Sequence, residues 1–201
     1  MKIHDPYHLI PDHGAVYHIV MTHPLCPYLL DRIREVKVLP IELDSHQGPS
    51  IAYDQIEQEV KLYVAPNTAS KNNYDYILYH EFSHVADRLN PAFGYSDEIM
   101  FSLSDTGQCN VKELWNVYID ARLHHQGLFK LGDNDKNVHC MINGKLQKLP
   151  FSIEGKLMEY TSFLNSRGIR DAQRIVQEIW DDPNLLRSFQ DLVAIVKTEG
   201  G

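Results

Sequence analysis

The 201-residue chain is 43% hydrophobic and 23% charged, a composition typical of a globular protein with enough apolar side chains for a packed core. Its formal net charge of −8 argues against nucleic acid as a partner, because acidic surfaces repel phosphate backbones. No run of about 18 apolar residues occurs, so neither a membrane-spanning helix nor a membrane partner is expected.

The N-terminal residues 1–14 are predicted to form no helix, because Pro6, Pro11 and Gly14 interrupt them. The polar residues among them also leave no apolar stretch for a signal peptide. The three cysteines lie far apart and predict reduced thiols, so a cytoplasmic location is expected.

The following residues predict a short helix and then strands. The helix covers residues 24–36, and strand segments follow at Val36–Leu43, Ser50–Asp54 and Val60–Val64. The last two strands are close enough in sequence to form a hairpin around Gln55–Glu59.

The second half is predicted to be mainly helical. After a loop at 67–71, Tyr74–Leu89 forms a helix, residues 94–110 form a loop long enough to suggest a functional role, and Val111–Gln126 forms a second helix closed by Gly127. Three more helices are predicted in the tail, at 153–166, 169–180 and 184–197, the last opened by Asp182 and Pro183.

These elements predict an α+β fold in which a small group of strands precedes two helices and a helical tail. The charge distribution divides the chain similarly, since residues 145–201 carry eight basic and eight acidic side chains and the whole negative excess lies in residues 1–144. We therefore predict a working domain over 1–144 and a helical C-terminal subdomain over 145–201.

The first long helix carries His-Glu-Phe-Ser-His at positions 80 to 84, an H-E-x-x-H motif. Residues four apart share a helix face, so the imidazoles of His80 and His84 can bind one Zn²⁺. Glu81 is then placed to take a proton from a water activated by the metal.

The rest of this helix agrees with such a site. An apolar stripe on the helical wheel provides an anchoring face, with the histidine pair on its flank. The stripe consists of Leu78, Phe82, Val85 and Leu89.

The motif and the order of elements around it resemble the zincin metallopeptidases, over roughly residues 24–126. Zincins place a strand layer with an edge strand before the H-E-x-x-H helix and a second helix with the third ligand after it. The resemblance implies a zincin-like mixed sheet, an active-site helix, and a ligand-bearing helix at 111–126. For the mechanism, we expect the strand Val60–Val64 to pair with an extended substrate backbone.

A catalytic zinc needs a third protein ligand. The metzincin continuation of the motif is excluded, because Asp87 and Asn90 occupy the positions of its glycine and histidine. The thermolysin-type spacing fails as well, since Ser104 and Asp105 stand near the position where a glutamate is needed.

The second helix offers better candidates, because Glu113, Asn116, Asp120 and His124 fall in one polar arc. Asp120 is favoured as the ligand, since a mid-helix aspartate has poor helix propensity and Asn116 can orient it. The surrounding W-N-x-Y-I-D-x-R string also resembles small bacterial zincin-like proteins. Glu113 remains the gluzincin-style alternative, although the helix dipole also explains an acid in the first turn.

The sequence thus predicts a cytoplasmic, zinc-dependent metallopeptidase that acts on a peptide or protein substrate. Its ligands are His80, His84 and Asp120, and Glu81 is the general base. Asp87 either supports a ligating imidazole or is a surface charge. Five side chains are unranked candidates for stabilising the oxyanion: Tyr95, Tyr118, Arg122, His124 and His125.

Two alternatives stay open. In one, the protein is non-catalytic and a closed metal site, with His124 as fourth ligand, stabilises the fold or is recognised by a partner. In the other, a regulatory protease acts on one protein partner and the C-terminal helices dock or inhibit. The remaining histidines show no ligand spacing and are interpreted as solvent-exposed or locally hydrogen-bonded: His4, His8, His13, His18, His23, His46 and His139.

Overall fold

The structure is a computed structural model that describes residues 1–10, 12–41, 50–64, 74–129, 137–142, 145–150 and 152–199. The chain divides into two compact units, Met1–Asn90 and Pro91–Gly201. The predicted boundary between residues 144 and 145 falls inside the second unit, and as a functional division it stays a prediction. The predicted loop at 67–71 lies outside the described residues.

In its described residues, the first unit contains four strands and three helices. They are β1 (Lys2–His4), α1 (His13–Thr22), α2 (Cys26–Leu29), β2 (Glu35–Pro40), β3 (Ser50–Asp54), β4 (Glu59–Val64) and α3 (Tyr74–Leu89). The prediction that residues 1–14 contain no helix is wrong at their end, because α1 begins at His13 and continues through Gly14. Asp12 explains the helix, because its carboxylate accepts a hydrogen bond from the Gly14 N–H and so caps the first turn.

The sheet has the order β1-β2-β4-β3. The β1–β2 and β2–β4 pairs are parallel, whereas β3 runs antiparallel to β4, so the sheet is mixed. Valine and leucine side chains alternate along β2 and β4, which buries one face of the sheet. This arrangement confirms the predicted α+β class and small mixed sheet.

The hairpin of β3 and β4 is confirmed, with Asp54 opposite Glu59. The Asp54 carboxylate accepts hydrogen bonds from the N–H groups of Ile56 and Glu57, which holds the turn, and Gln58 completes it with φ 53°. The pairing also corrects one expectation. Since β4 lies between β2 and β3, the strand Val60–Val64 is not available to pair with a substrate.

The second unit is mainly helical. Its elements are α4 (Asp97–Phe101), α5 (Asp105–His125), β5 (Asn137–Ile142), β6 (Lys145–Pro150), α6 (Ile153–Ser166), α7 (Ala172–Asp181), a 3-10 turn (Pro183–Leu185) and α8 (Phe189–Glu199). β5 and β6 form an antiparallel hairpin, and the long helix α5 packs against α6, α7 and α8.

The predicted loop over residues 94–110 is wrong. Ser96 caps α4 and Ser104 caps α5, each accepting a hydrogen bond from the backbone three residues later, so helix occupies most of that segment. The predicted stop of α5 is confirmed, because Gly127 adopts φ 70° and the Leu128 N–H donates to the Leu123 carbonyl.

The tail contains the three predicted helices, but the third begins later than expected. Asp182 caps the 3-10 turn that starts with Pro183, and α8 begins only at Phe189. The core between α5 and α8 is aromatic, with the Phe93 and Tyr118 rings stacked 5.9 Å apart. The Phe189 N–H donates to the Phe93 carbonyl, which fixes the start of α8 against this cluster.

Across the described residues, no helix is both long enough and apolar enough to cross a bilayer.

Candidate metal centre

His80 and His84 lie one turn apart in the middle of α3. Their ring centroids are 5.1 Å apart with an interplanar angle of 71°, and both residues are partly exposed. This separation allows both rings to contact one ion, since a zinc–imidazole bond is about 2.1 Å long. The helix therefore brings together the two histidines that the motif predicted as ligands.

Glu81 follows His80 and is 8% exposed. It lies about 100° further round the helix, between the histidine pair and the apolar stripe. Leu78 and Phe82 of that stripe are completely buried, and Val85 is 1% exposed. The predicted anchoring face is thus confirmed at these three positions, so packing fixes the backbone from which the motif side chains project.

Asp87, one turn after His84, is completely buried. The interpretation of this residue as a surface charge is wrong. A buried carboxylate is stable only with hydrogen-bond or charge partners, so Asp87 belongs to the interior polar groups of the motif helix.

A buried histidine from outside the motif contacts the motif helix, and sequence reasoning missed it. His23 is 3% exposed, its Nδ1 accepts a hydrogen bond from the Leu25 N–H, and its Nε2 lies 3.1 Å from Ser83 Oγ. Because Nδ1 is an acceptor, the proton of the neutral ring resides on Nε2, which donates to Ser83. Ser83 in turn donates to the Tyr79 carbonyl.

No sequence signal could have identified this pair, since the two residues are 60 positions apart and neither has distinctive spacing. Among the other histidines, four are exposed as predicted: His4, His8, His13 and His18. His46 and the side chain of His139 lie outside the part of the chain that the structure describes.

Asp120, the favoured third ligand, lies on α5 in the second unit and is completely buried. Its Oδ2 accepts a short hydrogen bond from the Tyr160 hydroxyl of α6. Although it belongs to the polar arc of α5, Asp120 therefore does not face water.

Glu113, the alternative ligand, has different partners. Burial raises its pKa above the ordinary glutamate value, while the charge of Lys156 and a hydrogen bond from Asn116 oppose that rise. The Asn116 amide donates to Glu113 Oε2 at 3.2 Å. The sequence predicted that Asn116 orients Asp120. Its hydrogen bond to Glu113 is a contact that the sequence did not predict.

Lys156 of α6 supplies the cation of this polar cluster and donates to Glu159 at 2.8 Å. Burial alone would lower its pKa, but the carboxylates of Glu159 and Asp120 raise the pKa above the usual lysine value. Lys156 is therefore charged at neutral pH and compensates part of the negative charge on α5.

The candidate oxyanion donors take part in packing contacts within the second unit. The Tyr95 hydroxyl donates to Asp97, the Arg122 guanidinium lies 4.3 Å from the centre of the Tyr118 ring, and His124 stacks on Trp180 at 5.1 Å. His125 Nε2 lies 2.9 Å from the Trp180 carbonyl oxygen. These contacts do not rank the five as donors.

The donor set fits zinc in chemical kind, because two imidazoles and a carboxylate are common catalytic zinc ligands. Within the described ranges, however, no three His, Cys, Asp or Glu side chains form a group that could hold a metal ion. The structure therefore brings together His80 and His84, while a metal site formed by them with Asp120 stays a prediction.

Comparison of the chain with protein-family models, with curated proteins and with solved structures finds no match.

Proposed function

We propose that this protein is a zinc-dependent metallopeptidase of the zincin type, in which His80, His84 and Asp120 hold the ion and Glu81 is the general base. The observation that carries the proposal is the geometry of α3. Two imidazoles on one helix face lie within reach of a common ion, and a nearly buried glutamate stands beside them.

The surroundings of α3 support this proposal. A catalytic site needs ligands held by a rigid element, and α3 is anchored by a buried apolar stripe and by the His23–Ser83 hydrogen bond. The two histidines remain partly exposed, so an ion and a substrate can reach them. A pair of purely structural histidines would need no such combination of a fixed backbone and accessible rings.

In the proposed reaction, a divalent ion would supply Lewis-acid activation of a water and of the scissile carbonyl. Glu81 takes a proton from the attacking water as the new carbon–oxygen bond forms. It then returns that proton to the leaving amine as the carbon–nitrogen bond breaks. His80 and His84 would hold the ion in a fixed position, because both lie on one helix face.

The sheet offers a place for an extended peptide. β3 is an edge strand of the four-stranded sheet in the described residues, and it packs against α3. Substrate pairing, which the sequence assigned to Val60–Val64, is therefore better assigned to Ser50–Asp54. A peptide or protein substrate and a cytoplasmic location are part of the same proposal.

Glu81→Gln provides the central test. The substitution keeps the size of the side chain and leaves both histidines in place, so the variant should bind zinc as the wild type does. Hydrolysis of a fluorogenic peptide library should fall by roughly 10²- to 10⁴-fold, the usual contribution of a general base. Glu57→Gln, in the exposed hairpin turn, is the matched control and should retain full activity.

Metal binding is tested separately by elemental analysis of His80→Ala, with the exposed His18→Ala as its control. Loss of zinc in the first variant alone is expected. If Glu81→Gln hydrolyses peptides as fast as the wild type, the mechanism is wrong. A wild type that binds zinc, cleaves no peptide and unfolds when zinc is removed would instead identify the non-catalytic, metal-stabilised protein.

A further inference from the structure

An open groove separates α7 from α8 in the second unit. Each of these helices packs against α5, but α7 and α8 make few direct contacts with each other. The segment that joins them contributes Leu185 and Leu186 to the lining of the groove. The groove encloses about 380 Å³, which lies within the range of about 300 to 1,000 Å³ that is usual for ligand pockets. It therefore has room for several side chains of a partner.

The floor of the groove is apolar. Ile175 and Ile179, which lie one turn apart on α7, are buried, as is Leu186. Ile195 of α8 is half-buried, and Leu185 lines the groove although it is 57% exposed. Covering these aliphatic side chains is favourable, because it removes apolar surface from water.

Hydrogen bonds hold both ends of α8, which forms one wall of the groove. The Arg170 N–H donates to the Glu199 carbonyl at 3.0 Å, so the end of α8 is tied to the segment before α7. At the start of α8, the Asp191 carboxylate accepts hydrogen bonds from the N–H groups of Arg187 and Ser188. A wall that is already ordered lowers the entropy cost of binding.

The rim of the groove is acidic. Its described lining residues include one base, Arg174, and three acids: Glu178, Asp191 and Glu199. The Arg174 guanidinium already donates to both carboxylate oxygens of Glu178, at 2.8 and 3.0 Å. The lining therefore carries two further negative charges, on Asp191 and Glu199. Charge complementarity at such a rim favours a cationic partner.

We propose that the groove between α7 and α8 binds an amphipathic helix of a protein partner that carries basic residues beside its apolar face. Helices bind in grooves of this kind through apolar side chains at positions i, i+3 or i+4, and i+7. A second copy of the chain fits less well, because each copy carries a net charge of −8 and the copies repel each other. The inference does not depend on the proposed function, since no residue of the candidate metal centre takes part.

The probe for this groove is a designed, fluorescein-labelled helical peptide with leucines at positions i, i+4 and i+7 and lysines on both sides of that stripe. Fluorescence anisotropy measures its binding to the full chain. A second peptide, in which glutamate replaces every lysine, keeps the apolar stripe and should bind at least about 10-fold more weakly. Raising the ionic strength should weaken binding of the lysine peptide, because salt screens the charges of the rim.

Ala194→Lys blocks the groove. Ala194 is an exposed lining residue of α8, and lysine has nearly the helix propensity of alanine, so the variant should fold. The long cationic side chain occupies the groove and repels the lysine peptide, whose affinity should fall at least about 10-fold. Gln173→Lys adds the same charge at an exposed position of α7 outside the groove lining and is the matched control. It should change the affinity less than about 2-fold.

Glu178→Gln/Glu199→Gln removes charge from the rim without adding bulk, and it keeps the test usable if Ala194→Lys does not fold. The affinity for the lysine peptide should fall by roughly 3- to 10-fold, as expected for two exposed charges. The proposal is overturned if the lysine peptide does not bind the wild type, if both peptides bind equally well, or if either variant binds as the wild type does. A wild-type dimer that Ala194→Lys dissociates in sedimentation velocity would also overturn it, because the groove would then hold a second copy.

Discussion

Ser83→Ala should destabilise the protein by about 1.5 kcal/mol through the anchoring of the motif helix. Ser83 is 3% exposed, and its hydroxyl donates to the Tyr79 carbonyl at 2.8 Å and accepts from His23 Nε2 at 3.1 Å. Two buried hydrogen bonds contribute about 1 kcal/mol each. The higher helix propensity of alanine offsets up to about 0.7 kcal/mol of that loss.

The assay is urea unfolding followed by far-UV circular dichroism. For a chain of this length, a loss of about 1.5 kcal/mol in the free energy of unfolding also corresponds to a fall of roughly 3–6 °C in the melting temperature measured by heating. Ser166→Ala is the matched control, because that hydroxyl also donates to a backbone carbonyl of its own helix, at 2.7 Å, but is exposed. Its cost should stay within about 0.5 kcal/mol.

A double-mutant cycle with His23→Ala assigns the effect to the pair. We expect Ser83→Ala to cost less in the His23→Ala background, with a coupling energy of about 1 kcal/mol. If Ser83→Ala costs no more than Ser166→Ala, or costs the same with and without His23, the hydrogen bond does not anchor α3 and the reasoning is refuted.

Two further predictions concern stability. The Asp5 side chain is fully buried, and burial alone would raise its pKa, but hydrogen bonds from the N–H groups of Ile10 and Leu9, together with His13, lower the pKa below the ordinary value. Asp5→Asn should therefore lower the free energy of unfolding by about 2 kcal/mol above roughly pH 4, and the difference from the wild type should disappear as the pH falls further. Unfolding measured at several pH values tests this, and a difference that does not change with pH would contradict it. The buried Tyr74 hydroxyl has no hydrogen-bond partner among the described residues, so Tyr74→Phe should raise the free energy of unfolding by about 1 kcal/mol; a destabilised variant would show that the hydroxyl is satisfied.

Local sequence signals predicted the parts of the fold that depend on neighbouring residues. The hairpin of β3 and β4 and the bounds of α3 agree with the structure, because alternation and helical periodicity are strong in both segments. The prediction of a loop at 94–110 was wrong, because Ser, Asp and Gly residues of this segment serve as helix caps and first-turn residues. Ser96 and Ser104 are such caps, and the composition of a cap resembles that of a loop.

The candidate site shows the same division. The helix alone places His80 and His84 together, so the motif was sufficient to predict their proximity. The partners of the motif helix and of Asp120 come from distant parts of the chain, 60 residues away for His23 and Ser83 and 40 for Asp120 and Tyr160. Such pairs depend on how helices pack, which a periodicity argument does not determine.

The burial of α3 affects how variation along the motif would be interpreted. Eleven of its 16 residues are buried, including three tyrosines, so most substitutions would lower the amount of folded protein whatever their effect on chemistry. A mutational scan that scores both protein abundance and activity would separate the two causes. Substitutions in the buried apolar stripe should lower the abundance of the protein. Substitutions at the partly exposed His80 and His84 should lower its activity and leave its abundance unchanged.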